Sequence, residues 1–340
     1  MRLENFNYHL PKSLIAQKPI SPRDRSRLLL IEKRKNRLEH RRFREILKIL
    51  QPGDILVLNN SKVIPARLLG KKQSGGKAEI LLLRETKNGG WKALIKNLKD
   101  KNGLNQKIAV GKNLTAQLIK NLGSGIWEIK FDLKEQELKK ILRKIGKIPT
   151  PPYIKRPAKF KEYQTVFAKH PGSVAAPTAG FHFTRRLLHD LKNKGVEILF
   201  VTLHVGLGTF QPIKTADIKK HKMHSEIAEI LPETARRINA AKKEKRRIIA
   251  VGTTVCRTLE SFADNRGLVK SGKKEVDLFI LPGYKFKIID GLITNFHLPK
   301  TTLLLLVAAF LGKRLLRRAY REAIKRKYRF YSFGDAMMII

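Results

Sequence analysis

Between Pro65 and Lys147 the chain changes texture, and that change constrains the fold more than any other feature. Short apolar runs at 79–83, 91–95, 107–110, 114–119 and 126–131 alternate there with Gly, Asn and Lys turns. Asn88-Gly89-Gly90 between two of them is a hairpin signal, because such turns need residues tolerant of positive φ. Many short strands at close spacing predict a small all-β sandwich or barrel. A helix over 134–145 closes the segment, and Pro149, Pro151 and Pro152 mark its boundary.

The flanks read differently. An amphipathic helix is predicted over 42–50, ended by Pro52-Gly53, with a buried strand over 54–58. From Tyr153 onward, strands and helices alternate. Thr184 caps a helix over 185–194, with Gly195 just past its end. A strand over 197–203, a helix over 233–245, a strand over 247–251 and a helix over 253–263 follow. Further strands are predicted near 277–281 and 286–293. This rhythm predicts an α/β layer with parallel pairing. The expected architecture is an α/β core, residues 1–64 and 148–340, carrying an inserted β-barrel module over 65–147.

The 340 residues carry 72 Lys+Arg against 28 Asp+Glu, a formal charge of +44. Such an excess is hard to keep compact unless solvent or a polyanion screens it. Arg314, Arg318, Arg321 and Lys325 recur at helical spacing and form one face, opposite Leu311, Leu315, Leu316, Ala319 and Ala323. That stripe suits a phosphate backbone, and it equally suits a solvated face of a lysine-rich protein. The single cysteine, Cys256, excludes an intramolecular disulfide framework and fits a reducing, cytoplasmic setting. The longest apolar run, 303–311, is far short of the ~20 residues that span a bilayer, and the first residues lack a secretion signal. The chain is expected to be cytoplasmic and not to span a membrane.

Three stretches dense in Gly, Thr and His fall at predicted strand ends, where α/β sheets place ligands. In Gly172–Phe183, His182 sits between Phe181 and Phe183, two aromatics able to stack on a planar base. In Leu203–Pro212, Gly206 and Gly208 follow His204, but Gln211 stands where a dinucleotide fingerprint needs its third glycine. In Val251–Thr254, a Gly–helix junction offers free amides to an anion, or simple capping by Thr253. No P-loop ending is present, which disfavours nucleotide triphosphate hydrolysis. His224 and Glu226 suit general acid–base work better than a metal, since no further Cys/His pair lies nearby. His297 follows another predicted strand end, in Asn295–Pro299.

These residues, with Pro151–Arg156, Tyr163–Val166, Met223–Glu226, Ala250–Ser261, Thr294–Pro299, Tyr328–Met337, Asn59–Arg67 and Gly75–Lys77, closely resemble the ordered motifs of the S-adenosylmethionine:tRNA ribosyltransferase-isomerase family. The resemblance covers nearly the whole chain. It implies an α/β domain with an inserted β-barrel, a monomer in the cytoplasm, with no metal and no prosthetic group. It implies transfer of the ribosyl part of S-adenosylmethionine to 7-aminomethyl-7-deazaguanine in a tRNA anticodon, forming epoxyqueuosine-tRNA and releasing adenine and methionine.

That chemistry needs a base for a proton at C5′ of the sulfonium donor, a neutral attacking amine, and help for departing adenine. His204 or His224 is expected as the base, with Glu226 as orienter or counter-charge. His182 and His297 are expected to assist adenine or position the ribose. Phe181, Phe183 or Phe210 would stack on adenine, and Gly206 and Gly208 would let the donor approach the backbone. Gly252-Thr253-Thr254 would hold the methionine carboxylate, and Asp335 is a further carboxylate for the sulfonium. Arg314, Arg318, Arg321 and Lys325 would meet the tRNA backbone. The histidine-bearing turns are expected to converge on a single pocket. Two other readings share parts of this pattern, a tRNA methyltransferase using the same donor and a non-catalytic RNA-binding protein.

Overall fold

A computed structural model describes the chain except for residues 87, 99–103, 152, 157, 207–212, 214–216, 219–220 and 222. A nine-stranded mixed sheet forms the core, in the order Gly272–Val276, Glu226–Ile230, Glu197–Leu203, Ile55–Asn59, Ile248–Val251, Gly291–Asn295, Ala336–Ile339, Arg27–Glu32 and Arg37–Arg42. The four central strands, 197–203, 55–59, 248–251 and 291–295, are mutually parallel. Three of them are buried along their whole length, as parallel strands covered on both faces must be.

The 336–339 strand runs antiparallel to 291–295, and 27–32 runs parallel to 336–339. Their amino ends therefore meet the carboxyl ends of the central four. Six chain segments converge at that one end of the sheet. One face is covered by helices Pro232–Lys243, Thr253–Phe262, Thr302–Leu311 and Lys313–Lys325, and the other by Phe43, Ile46, Leu187 and Leu191 among others.

The α/β class with an inserted barrel is what the structure has. Strands Ile126–Phe131, Trp91–Lys96, Lys77–Glu85, Arg67–Lys72, Lys107–Ala109 and Thr115–Gly123 close into an antiparallel barrel. Its interior holds Leu68, Ile80, Leu82, Ala93, Leu118 and Trp127, a core separate from that of the sheet. Helix Glu135–Ile145 docks on it through Leu138 and Leu142. The chain returns to the main domain where Lys147 pairs with Arg67.

Several elements differ from the spacing-based expectation: the strand expected near 286–293 is Gly291–Asn295, and Arg27–Glu32, Arg67–Lys72, Glu226–Ile230 and Ala336–Ile339 are further strands. The stretch over 42–50 is not one helix: Arg37–Arg42 is an edge strand, a 3-10 turn follows, and only Ile46–Ile49 is α-helical. The edge strand alternates charges that pair along its outer face, Glu39 with Arg37 and Arg41, so it has no apolar period to read. Residues 277–281 are not a strand either. The pairing segment is the charged Gly272–Val276, after which Ile280 enters the core from a loop.

Candidate active site

The carboxyl ends of the central strands deliver Val205, Gly252 and Asn295 to a cleft enclosing about 500 Å³ of empty space, open solvent included. Thr178, Thr253, Thr254, Thr294, Asn295 and Ser332 supply its polar wall, and Tyr331, His297 and Leu303 complete it. Gly252 precedes the 253–262 helix at φ +95, a left-handed conformation suited to glycine. Tyr331 adopts φ +75, which is unusual for a bulky side chain.

The floor of the cleft is a hydrogen-bonded chain centred on Asn295. Its Nδ2 donates to the Tyr331 carbonyl at 3.2 Å, and its Oδ1 accepts from Thr178 Oγ1 at 3.2 Å. The same Nδ2 faces His182 Nε2 at 3.1 Å, so that nitrogen accepts. His182 Nδ1 therefore carries the proton and donates to Ser26 Oγ at 2.7 Å. The ring stacks on Phe43 and is buried, and burial, aided by Arg23 and Arg329, lowers its pKa to about 3. His297 is also buried, bonded through Nε2 to Thr294 Oγ1 at 2.9 Å, with its pKa lowered to about 3 by burial. Both are neutral imidazoles at neutral pH.

A second cavity adjoins the first and shares Leu303 with it. Its wall is apolar, with Met223, Leu278, Phe279, Ile280 and Leu306, and it holds His224, Glu226 and Arg257. Glu226 and Arg257 form a buried ion pair at 2.5 Å. Glu226 Oε1 accepts from the Gly206 amide at 2.8 Å, while Arg257 also donates to the carbonyls of Leu278 and Val276. His224 is exposed at the rim.

A third opening shares Ser332 with the first and is lined by Arg23, Phe181, His182 and Phe333. Phe181 stacks on Phe333 there, and the Arg23 guanidinium lies 4.7 Å over the Phe181 ring. Among the cavities lined by described residues, the histidines do not share one pocket. His297, His224 and His182 take one each of three adjoining cavities, and His204 lines none of them. The His204 ring lies against Gly172, its pKa lowered chiefly by burial, with Nδ1 buried and unpartnered among the described residues.

Phe183 is fully buried, edge-on to Phe43, in the core under the sheet. Asp335 is buried and occupied, accepting from Arg27 N, Arg27 Nε and Arg329 N. Gly208 and Phe210 lie outside the described residues. Arg314, Arg318, Arg321 and Lys325 are exposed along helix Lys313–Lys325, while Leu315, Leu316, Ala319 and Ala323 pack inward. Arg318 is tied to the Asn36 carbonyl at 2.8 Å. Cys256 is buried, and burial pushes its thiol pKa well up. Among the described residues no cluster of three His, Cys, Asp or Glu is arranged to hold a metal, and no helix is long and apolar enough to cross a membrane.

Asn295, Tyr331 and Arg257 are site residues that sequence reasoning did not single out. Asn295 and Tyr331 lay inside noted motifs, but the sequence has no mark for a strand-end amide or a left-handed tyrosine. For Arg257 the available signal was the need of a buried Glu226 for a partner.

A family model described as queuosine biosynthesis protein matches residues 3–339. A protein of Desulforamulus reducens named S-adenosylmethionine:tRNA ribosyltransferase-isomerase is 48% identical, with both chains fully covered. Proteins of the same name from Thermotoga maritima and Clostridioides difficile are each 49% identical, again over both full lengths. The crystal structure of S-adenosylmethionine tRNA ribosyltransferase from Thermotoga maritima superposes with a TM-score of 0.57 and 38% identity, covering 99% of this chain and 100% of that one.

Proposed function

The chain belongs to the queuosine biosynthesis protein family, and from that premise we propose that it transfers and isomerises the ribosyl group of S-adenosylmethionine. The acceptor is the aminomethyl group of 7-aminomethyl-7-deazaguanine in a tRNA anticodon, and the products are epoxyqueuosine-tRNA, adenine and methionine. The observation that carries this reading is the pairing of two adjoining cavities at the sheet's carboxyl end. One is rich in hydroxyl and amide groups, and the other holds a buried carboxylate.

The positions of the groups support a role for each. A sulfonium acidifies its neighbouring C5′ protons; His224 takes one in this reading, supported by its position at the rim of the cavity that holds Glu226. His204, outside the cavities, is the alternate base. Glu226 supplies negative charge next to the cationic sulfur, although it shares that charge with Arg257. His297 meets the adenine end as a neutral imidazole, and His182 acts by fixing Asn295. Gly252, Thr253 and Thr254 offer donors to oxygens of the donor substrate, whereas Phe181 lies outside this cavity with its ring already stacked on Phe333.

The basic face of helix Lys313–Lys325 meets the tRNA backbone, and the enzyme works as a cytoplasmic monomer without a prosthetic group. Incubating the protein with S-adenosylmethionine and tRNA bearing the deazaguanine precursor is expected to release free adenine and methionine. Formation of S-adenosylhomocysteine instead identifies a methyltransferase. Retention of RNA with no turnover identifies a binding protein.

A further inference from the structure

The two adjoining cavities differ in chemistry, and the difference divides the donor between them. The described lining of the first cavity has no charged side chain; its polar groups are hydroxyls, an amide and a neutral imidazole. Such groups match ribose hydroxyls and the edge of a base. The second cavity sets a buried carboxylate and a buried guanidinium into an apolar wall. Opposite charges beside methylene-sized apolar surface match an amino-acid zwitterion on a short alkyl chain.

We propose that the second cavity is the subsite for the methionine half of S-adenosylmethionine, with the nucleoside half in the first. This rests on the activity read above. Leu303 lines both cavities, and in this arrangement the sulfonium lies beside it. The ammonium and the sulfonium face Glu226, and the carboxylate faces Arg257. The side chains of Met223, Leu278 and Phe279 cover the methylenes, and the Phe279 ring and Met223 sulfur are soft neighbours for the cationic centre. The start of helix Thr253–Phe262 lines the other cavity, so its amides and hydroxyls serve the ribosyl oxygens rather than the methionine carboxylate expected there.

The test fills the second cavity and compares two ligands by equilibrium binding. One is S-adenosylmethionine, and the other is 5′-methylthioadenosine, which keeps the nucleoside and lacks the amino-acid end. Leu278 and Met223 are only partly buried and come from different segments, so Leu278→Trp and Met223→Trp are two independent fillers. Each is expected to weaken S-adenosylmethionine at least about ten-fold while leaving methylthioadenosine within about two-fold, with unchanged thermal melting. Equal weakening of both ligands, or of neither, overturns the subsite. So does a parent protein that binds the two equally well. If the parent binds neither, the activity reading falls first, and the subsite with it.

Discussion

The side-chain amide of Asn295 reaches His182 Nε2 at 3.1 Å and the Tyr331 carbonyl at 3.2 Å, tying a buried imidazole to a left-handed backbone at the cleft. Because a carbonyl only accepts, the amide orientation and the His182 tautomer follow together. Asn295→Ala is expected to cost about 1–3 kcal/mol by orphaning buried polar groups, and to reduce adenine release. Asn295→Asp is expected to be worse at neutral pH, since a carboxylate there faces a lone pair and a carbonyl. Urea unfolding and an adenine-release assay check both; an aspartate variant as active as the parent refutes this arrangement.

Stability is expected to depend on His182 and His297. Their folded pKa values, about 3, lie below the ordinary 6.5, so between these limits the unfolded chain binds more protons. Their contribution is complete above about pH 6.5 and is lost as pH falls toward 3. At about pH 5 each is expected to cost of the order of 1–2 kcal/mol relative to pH 7.5. Urea midpoints at the two pH values measure this, and His297→Gln, which keeps polar atoms for Thr294, is expected to flatten the dependence. A variant as acid-sensitive as the parent excludes the histidine as its source.

The Glu226–Arg257 pair is expected to behave as a buried unit. Removing either partner leaves an uncompensated buried charge, at about 3–5 kcal/mol. Arg257→Met with Glu226→Leu is expected to be less damaging than the sum of the two single changes, with activity lost in all three. A double-mutant cycle on unfolding free energies measures the coupling, and strict additivity counts against the pair.

Five of the six barrel strands and the central strands of the sheet were legible because their signals are local. Turn-flanked short runs mark the barrel strands, and uninterrupted apolar stretches such as Ile248–Val251 mark central strands. The edge strand Arg37–Arg42 and the charged strand Gly272–Val276 were not legible, because neither buries an alternating apolar face and both are held through backbone pairing. Motif positions at strand ends pointed to the right end of the sheet. What sequence does not carry is which nearby side chains share a cavity. His182 and Asn295 are far apart in the chain yet bonded, while Phe183, two residues from Phe181, turns into a different core. Asp335 reads as a free carboxylate, and only the fold reveals that Arg27 and Arg329 occupy it.

Tyr331 offers a test of backbone conformation. At φ +75 any residue with a Cβ is disfavoured by about 1–2 kcal/mol, and glycine is not. Tyr331→Gly is therefore expected to be more stable than Tyr331→Ala by about 1 kcal/mol, the reverse of the order in a helix or strand. Both are expected to lose activity, because the ring lines the cleft. Urea unfolding of the pair decides it, and alanine being the more stable means that the left-handed geometry is not held in solution.

If helix Lys313–Lys325 tracks a phosphate backbone, its arginines set the salt dependence of tRNA affinity. Each phosphate contact contributes about 0.7–0.9 to the slope of log affinity against log salt. Arg314 and Arg321 are exposed, whereas Arg318 is partly engaged with Asn36. Arg314→Gln with Arg321→Gln is expected to lower the slope by about 1–2 and to weaken all tRNAs alike. Arg318→Gln is expected to change it less and to loosen the turn that carries Asn36. Arg143→Gln with Lys144→Gln, on the barrel helix and not on this stripe, controls for overall charge, because it also removes two positive charges. Filter-binding titrations across a salt series measure the slopes. A double variant whose slope equals the parent's removes this helix from the tRNA contact surface.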